Sequence, residues 1–376
     1  MNRRDAILKY ITKEQRGIEI GPFCSPLTPK REGYQCLVMD VFDSEATRKM
    51  ASENPSLSQE QVSCIEDIDL VGSCTHIDEV IGAHGLLGEF DYIVSSHNFE
   101  HLPNPIRFLQ GCAKVLKPGG IISMAIPDRR ACYDYFRPIT RLSDWLDPWL
   151  EDKSRPTLAQ AFDDRWVRAT YNHHGVPHGS FFQGVDPQLV SAAMTLEQDF
   201  EQWKLRRSLD DCEYHDAHCS VFTPSSLELL VHDCAYLGLI DFEVVEISVS
   251  PGVDIFVHLR AGDPYQSLHQ SDYYAIRNKI LRQMLDEASE TSTLGFERPV
   301  ERVDNIKREF DEIKGLLTST TFDRDRHRAE LETANAKVQQ LTDTVSALRA
   351  SASWRITAPL RRLMTAFKGI RQRIPS

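Results

Sequence analysis

The stretch FDYIVSSHNFEHLPNPIRFLQGCAKVLKPGGIISMAIPD, residues 90–128, decides the fold. It opens on an apolar run of strand length, Phe90 to Ser95, passes through a polar turn holding Glu100 and His101, and then changes period. From Pro105 onward Ile106, Leu109, Ala113 and Leu116 fall at the three-four spacing of one buried helical face, and Lys117-Pro118-Gly119-Gly120 predicts the helix end. A second apolar run, Gly120 to Ile126, follows. Two short buried strands joined by a helix form a parallel pair, because the crossover returns the chain to the edge from which it left.

Working outward, Gly17 to Gly21, Gln35 to Asp40 and Asp67 to Val71 read as three earlier strands. Downstream, Thr223-Pro224 is a good N-cap followed by proline at the first helical position, and it leads into SSLELLVHDCAYLG. The runs Ile240 to Ser248 and Asp254 to Leu259 complete a set of seven strands. Between them, Arg129 to Ser220 is rich in Trp, Tyr, His, Arg and Asp and breaks the rhythm. It reads as a cap, residues 129–220, inserted over the C-terminal edge of the sheet, where open α/β sheets bind ligands. The expectation is an α/β, doubly wound, mostly parallel seven-stranded domain over residues 1–265.

The character then changes to helix. Residues 266–300 read as a helical linker. Beyond it Val303, Ile306, Phe310, Ile313 and Leu317, then Leu331, Ala334, Val338, Leu341, Val345 and Leu348, keep one three-four register. Thr320, Arg324 and His327 interrupt it, which predicts a coiled coil over 301–350, loosened in its middle. Residues 351–376 set Leu360, Leu363, Met364, Phe367, Ile370 and Ile374 at helical spacing among Arg361, Arg362, Lys368, Arg371 and Arg373. That is the form of a basic amphipathic helix, suited to an anionic membrane surface or a partner. The formal charge of the chain is -12, yet Ser346 to Ser376 holds seven Lys or Arg and no acid. The body is therefore acidic and offers nucleic acid no general surface. Nine cysteines, an odd number without a C-x-x-C pair, suit free thiols in a reducing compartment. The N-terminus lacks the apolar run of a signal peptide and no window reaches about 18 apolar residues, so the cytoplasm is the expected location.

Chemistry concentrates at the strand ends. GIEIGPFCSPL places Glu19 and Gly21 where a ligand approaching the backbone leaves no room for a Cβ. The full G-x-G-x-x-G is absent, and the second strand starts too soon for a normal first helix. Nineteen residues after Gly21 the run CLVMD ends in Asp40, placed to accept hydrogen bonds from both hydroxyls of a ribose. His97 to His101 spells H-x-x-E-H, a zinc-peptidase pattern, but it lies in a turn leaving a strand and runs into Leu102-Pro103, so no metal is assigned. His97, His101 and the segment YNHHGVPHGS, with His173, His174 and His178, supply imidazoles suited to removing a hydroxyl proton at neutral pH; His215 and His218 lie further on. The residues leave open which one serves. Asp128 in IPDRR is another acceptor-side candidate, and Arg129 and Arg130 either position an anionic substrate or pair with acids of the cap.

The ordered set of strand, polar turn with Glu-His, helix, L-K-P-G-G and strand resembles the class I S-adenosylmethionine-dependent methyltransferases, which have a Rossmann-like fold. EIGPFCSPL, SSHNFEHLPNP, AIPDRR with the following FRP, and HCSVFTPSSLELL together look like one bacterial subfamily of them, over roughly Gly17 to Leu259. The resemblance implies S-adenosylmethionine as cofactor, with Glu19, Gly21 and Pro22 beside its methionine part, Asp40 on the ribose, and Ser95, Ser96 and His97 flooring the region of the transferable methyl. Where the family has an acid for the adenine, IDLVGSCTHID offers Ser73, with Asp69 and Asp78 at less suitable offsets. The string SWRITAPLRRL looks like a tail found on bacterial proteins of surface-polysaccharide assembly, glycosyltransferases among them. Together these imply methylation of a hydroxyl on a sugar or glycan intermediate at the cytoplasmic face of the membrane. A second copy of the chain or a glycosyltransferase would be the coiled-coil partner. The alternatives are a non-catalytic methyltransferase-like scaffold that organises glycosyltransferases, and a small-molecule methyltransferase with an oligomerising tail.

Overall fold

The computed structural model describes residues 2–173, 176–208, 214–250, 252–262, 268–292 and 327–350. A seven-stranded sheet forms the centre, built from β1 (Arg16–Ile20), β2 (Gln35–Asp40), β3 (Leu70–Val71), β4 (Phe90–Ser96), β5 (Leu116–Pro127), β9 (Phe242–Val249) and β10 (Asp254–Ala261). The cap contributes β6 (Ala169–His173), β7 (Val176–His178) and β8 (Val190–Ala192) as a separate three-stranded sheet. The large sheet runs in the order β3-β2-β1-β4-β5-β10-β9. Its first five strands are mutually parallel, and β10 pairs antiparallel with both β5 and β9.

Helices enter the chain as α1 (Arg3–Ile7), α2 (Ser44–Glu53), α3 (Gln59–Ser63), α4 (Ile77–Ala83), α5 (Pro105–Val115), α6 (Ser143–Leu150), α7 (Leu158–Asp163), α8 (Leu196–Ser208), α9 (Pro224–Tyr236), α10 (Gln270–Ser292) and α11 (His327–Ala350). Strand side chains divide between two apolar layers, as alternation requires of a sheet covered on both faces. Ile18, Ile20, Met39, Ile93, Ile122, Met124, Ile255 and Val257 face the main core with α4, α5 and α9. Cys36, Tyr92, Val94, Ala125 and Phe256 face a smaller one closed by Ile7, Ile11 and Leu27. Gly17 is needed on the second face: a Cβ there would sit 2.0 Å from the Tyr92 ring.

Two local boundaries differ from the sequence reading. The helix of residues 105–115 stops before Leu116, which turns extended and pairs with Phe90, because Pro118 disfavours helical backbone just before it. The third strand is only Leu70–Val71. Asp69 instead spends its carboxylate on the Val38 backbone N–H, at 2.7 Å, and on Lys30.

Helices α4 and α5 are tied by the buried Asp78, whose oxygens receive Arg107 at 2.7 Å and Lys114 at 2.8 Å. At the other side, α10 docks on α9: Asp233 accepts from Arg277 at 3.0 Å and from the Tyr273 hydroxyl, while Glu287 accepts from Ser225 N–H and Oγ at the α9 N-terminus. The first compact unit accordingly runs from Met1 to Glu287, past the expected boundary at 265, and takes in most of the segment expected to be a linker. The second unit spans Ala288 to Ser376. Within it the expected coiled coil is described only as α11, where Leu341 is buried and Val338 and Val345 are half-buried. The first part of that coiled coil and the expected basic helix of 351–376 lie outside the described residues. No described helix is long and apolar enough to cross a membrane.

Replacing Gly17 by Ala should displace the Tyr92 ring and cost about 1–3 kcal/mol, read as a lower midpoint in urea unfolding. Burial alone would raise the Asp78 carboxyl, but Lys114 and Arg107 outweigh it and hold it below the usual carboxylate range. Its contribution is therefore complete above that range and is lost as pH falls through the lowered folded-state value. Unfolding at neutral pH should show Asp78→Ala less stable by about 2–4 kcal/mol. The gap from the parent should narrow as the pH series enters the acid.

The candidate cofactor cleft

The chain leaves β1 for β2 and β3 on one side, then returns to form β4 on the other, so the carboxyl ends of β1, β2 and β4 border a crevice. The cavity there has a volume of about 600 Å³. Gly21, Asp40, Ser73, Thr75, His97 and His101 line its sheet side. Ser154, Arg155, Tyr214 and Asp216 of the inserted cap line the other.

Each strand end is shaped by a particular contact. Gly21 follows β1 at φ +60°, a left-handed conformation in which no atom lies within 4 Å of where a Cβ would stand, so the backbone there is open to a ligand. The Glu19 carboxylate is buried and receives Leu27 N–H at 2.6 Å, Thr28 N–H at 2.8 Å and Thr28 Oγ1 at 2.7 Å. It folds the 21–28 loop back on the sheet in place of a first helix, with only the short turn Lys30–Glu32 before β2. Neither Glu19 nor Pro22 is among the residues that line the cavity, and the Glu19 carboxylate holds the loop. Asp40 ends β2 half-buried, and it accepts the Phe42 N–H of its own turn at 3.3 Å. Burial lifts its carboxyl above the ordinary value, against the pull of the Phe42 and Val41 N–H groups.

At the place expected for an adenine contact, Ser73 lies on the wall, whereas Asp69 and Asp78 are engaged elsewhere as described above. On β4, Ser95 is buried and Ser96 Oγ accepts from Arg3 at 2.7 Å; His97 is the first residue of that run to reach the cavity. His97 adopts φ +51°, uncommon for a residue with a Cβ and characteristic of strained functional turns. Its Nε2 meets Asp254 Oδ1 at 2.9 Å. Burial works against its charge, yet Asp254 and Glu100 raise it to about 9. His101 Nδ1 meets Asp216 Oδ1 at 2.9 Å.

Of the other expected catalytic groups, Asp128 does not line the cavity. Asp128 is fully buried and saturated by Arg130 at 2.7 Å and Gln183 at 3.0 Å, so it closes the base of the cap and offers nothing to a substrate. His173 ends β6 opposite Val176 in the small sheet, and His174 lies outside the described residues. Sequence reasoning missed Asp254, Arg155, Tyr214 and Asp216, which come from β10 and the cap; nothing local marks them, since only the tertiary fold brings them to the turn after β4.

Comparison with known proteins bears on this cleft. A family model described as "Methyltransferase domain" matches residues 16–236, more than half of the chain. No curated protein matches significantly. Among solved structures, an S-adenosylmethionine-dependent methyltransferase from Aquifex aeolicus is 12% identical, with 69% of this chain and 89% of that one covered and a TM-score of 0.33. One from Mesorhizobium loti is 11% identical, with 69% and 98% covered and a TM-score of 0.34. A Pyrococcus horikoshii protein is 14% identical, with 68% and 85% covered and a TM-score of 0.33. With a match that begins at the first residue of β1 and ends at the last of α9, the chain belongs to the methyltransferase-domain family, and its cofactor is S-adenosylmethionine.

Proposed function

We propose that the chain methylates a hydroxyl of a sugar or glycan intermediate of surface-polysaccharide assembly, held between the cleft and the cap on the inner face of the cytoplasmic membrane. The observation that carries the methyl-transfer part is the grouping of Gly21, Asp40, Ser73 and His97 around one cavity at the strand switch point. The cavity is of the size common to small-molecule sites, about 300–1,000 Å³. These residues fit S-adenosylmethionine. Asp40 has lone pairs free beyond its own turn for the ribose hydroxyls, the open backbone at Gly21 suits the methionine part, and Ser73 is the polar group for the adenine side.

When bound, the cofactor supplies an electrophilic methyl on a good neutral leaving group, so the protein's task is chiefly alignment. The cap wall of Ser154, Arg155, Tyr214 and Asp216 offers donors and acceptors for a hydroxyl-rich molecule. The glycan assignment rests on that polar wall and on the likeness of SWRITAPLRRL to tails of polysaccharide-assembly proteins. In the same reading the heptads of 301–350 hold a second copy of the chain or a glycosyltransferase, and the basic tail meets the membrane.

The decisive experiment is calorimetric titration of S-adenosylmethionine and S-adenosylhomocysteine into the full chain, followed by transfer of labelled methyl to nucleotide sugars and lipid-linked glycans. Micromolar binding is expected, weakened about 10- to 100-fold in Asp40→Ala through loss of hydrogen bonds to a charged acceptor, about 1.5–3 kcal/mol. No binding of either ligand, or equal binding by the variant, would overturn the assignment of the cleft.

A further inference from the structure

Directly beneath the cleft, Glu100 is 0% exposed, and neither of its carboxylate oxygens has a hydrogen-bond partner. Three imidazoles surround Oε1: His97 Nδ1 at 3.4 Å, His101 Nε2 at 3.8 Å and His218 Nε2 at 3.9 Å. Each ring rests its other nitrogen on a different carboxylate. His97 uses Asp254 at 2.9 Å, His101 uses Asp216 at 2.9 Å, and His218 uses Asp134 at 2.5 Å, itself gripped by Arg137 at 2.6 Å.

Were these rings simply ion-paired with Glu100, their N–H groups would close to the distance of charge-assisted hydrogen bonds, about 2.7–2.9 Å. They stand back by most of an ångström. Four-coordinate zinc with bonds of about 2.0–2.1 Å spaces its donor atoms roughly 3.4 Å apart. His101 Nε2 and His218 Nε2 stand a few tenths of an ångström wider than that, at 3.8 and 3.9 Å from Glu100 Oε1, and the three donor atoms all lie within 4.8 Å of one another. Carboxylates on the outer ring nitrogens are the usual support for metal-bound imidazole, since they fix the tautomer and turn the inner lone pair inward. A buried carboxylate without donors is otherwise costly.

We infer that Glu100, His101 and His218 form a site for a divalent first-row transition metal, zinc foremost, with its remaining position beside His97 and facing the cleft. Two imidazoles and one carboxylate favour such a metal over magnesium or calcium, which prefer all-oxygen shells. The sequence reading assigned no metal because the H-x-x-E-H pattern lacked its helix and its downstream ligand. The fold supplies that ligand as His218, from just before α9, and it uses the first histidine of the pattern differently. The neighbouring group Asp134, Asp164 and His218 is not the site: Arg137 already compensates both aspartates, at 2.6 and 3.7 Å. On the methyl-transfer reading, the open position would take an acceptor oxygen. That step rests on the reading above, whereas the metal site does not.

The test is competition titration of Zn²⁺ alone against a chromophoric chelator, using chelator-stripped full chain, with Co²⁺ absorption as a second readout. One equivalent should bind, with Co²⁺ giving the visible bands of a four- or five-coordinate nitrogen–oxygen site. Affinity should fall at least 100-fold in Glu100→Gln and in His218→Gln, and about 10- to 100-fold in Asp134→Asn, where the ligands remain but their support is lost. Thermal unfolding checks that each variant is folded, and the Co²⁺ spectrum of the unaltered chain needs no variant. The inference is overturned by absence of stoichiometric Zn²⁺ and Co²⁺ binding, or by affinities unchanged in folded Glu100→Gln and His218→Gln. Because S-adenosylmethionine titration is read separately, failure of the metal site and failure of the cofactor cleft are distinguishable.

Discussion

The parallel pairing of β1 with β2 on one side and β4 on the other is the constraint on which the rest depends. Because those three strands point the same way, their carboxyl ends are forced to one edge. Because the chain reverses its direction of growth at β1, no crossover helix covers that edge. Gly21, Asp40 and His97 therefore face one another although 76 residues separate the first from the last. The antiparallel β10 next to β5 brings Asp254 to the same edge, where it fixes His97.

Glu19 and Glu100 show two fates of the same side chain at the same depth. Both are almost wholly excluded from water, each just beyond or within the end of a parallel strand. Glu19 is surrounded by donors from one short loop, and its role is exhausted in shaping that loop. Neither oxygen of Glu100 has a hydrogen-bond partner, and the groups around it are ring nitrogens of His97, His101 and His218 at 3.4 to 3.9 Å. Hydrogen-bond satisfaction, more than burial, thus separates a structural carboxylate from one held ready for a ligand.

Much of this was legible in the chain. Strand ends came within a few residues where apolar runs were bounded by glycine, proline or acid, as at Gln35–Asp40. The α9 N-terminus was marked by Thr223-Pro224, where Ser226 Oγ accepts the Thr223 N–H at 2.8 Å. The errors share a cause. Leu116 fitted the helical face by period but was claimed by pairing with Phe90, a partner no local pattern reveals. Asp128 looked available because it follows a strand, yet Arg130 and Gln183 saturate it. His218 lies 118 positions from Glu100, so spacing could not join them. Period reads faces, and partners come only with the fold.

The docking of α10 on α9 has a mechanical side. A pull on the chain beyond residue 292 would be shared by two anchors nearly three helical turns apart, Asp233 with Arg277 and Glu287 with Ser225, loaded together along the shaft of one helix. Such a load would pass to α9, which packs on β9 at the opposite edge of the sheet order from the β2 and β3 strands that carry Asp40 and lead to Ser73.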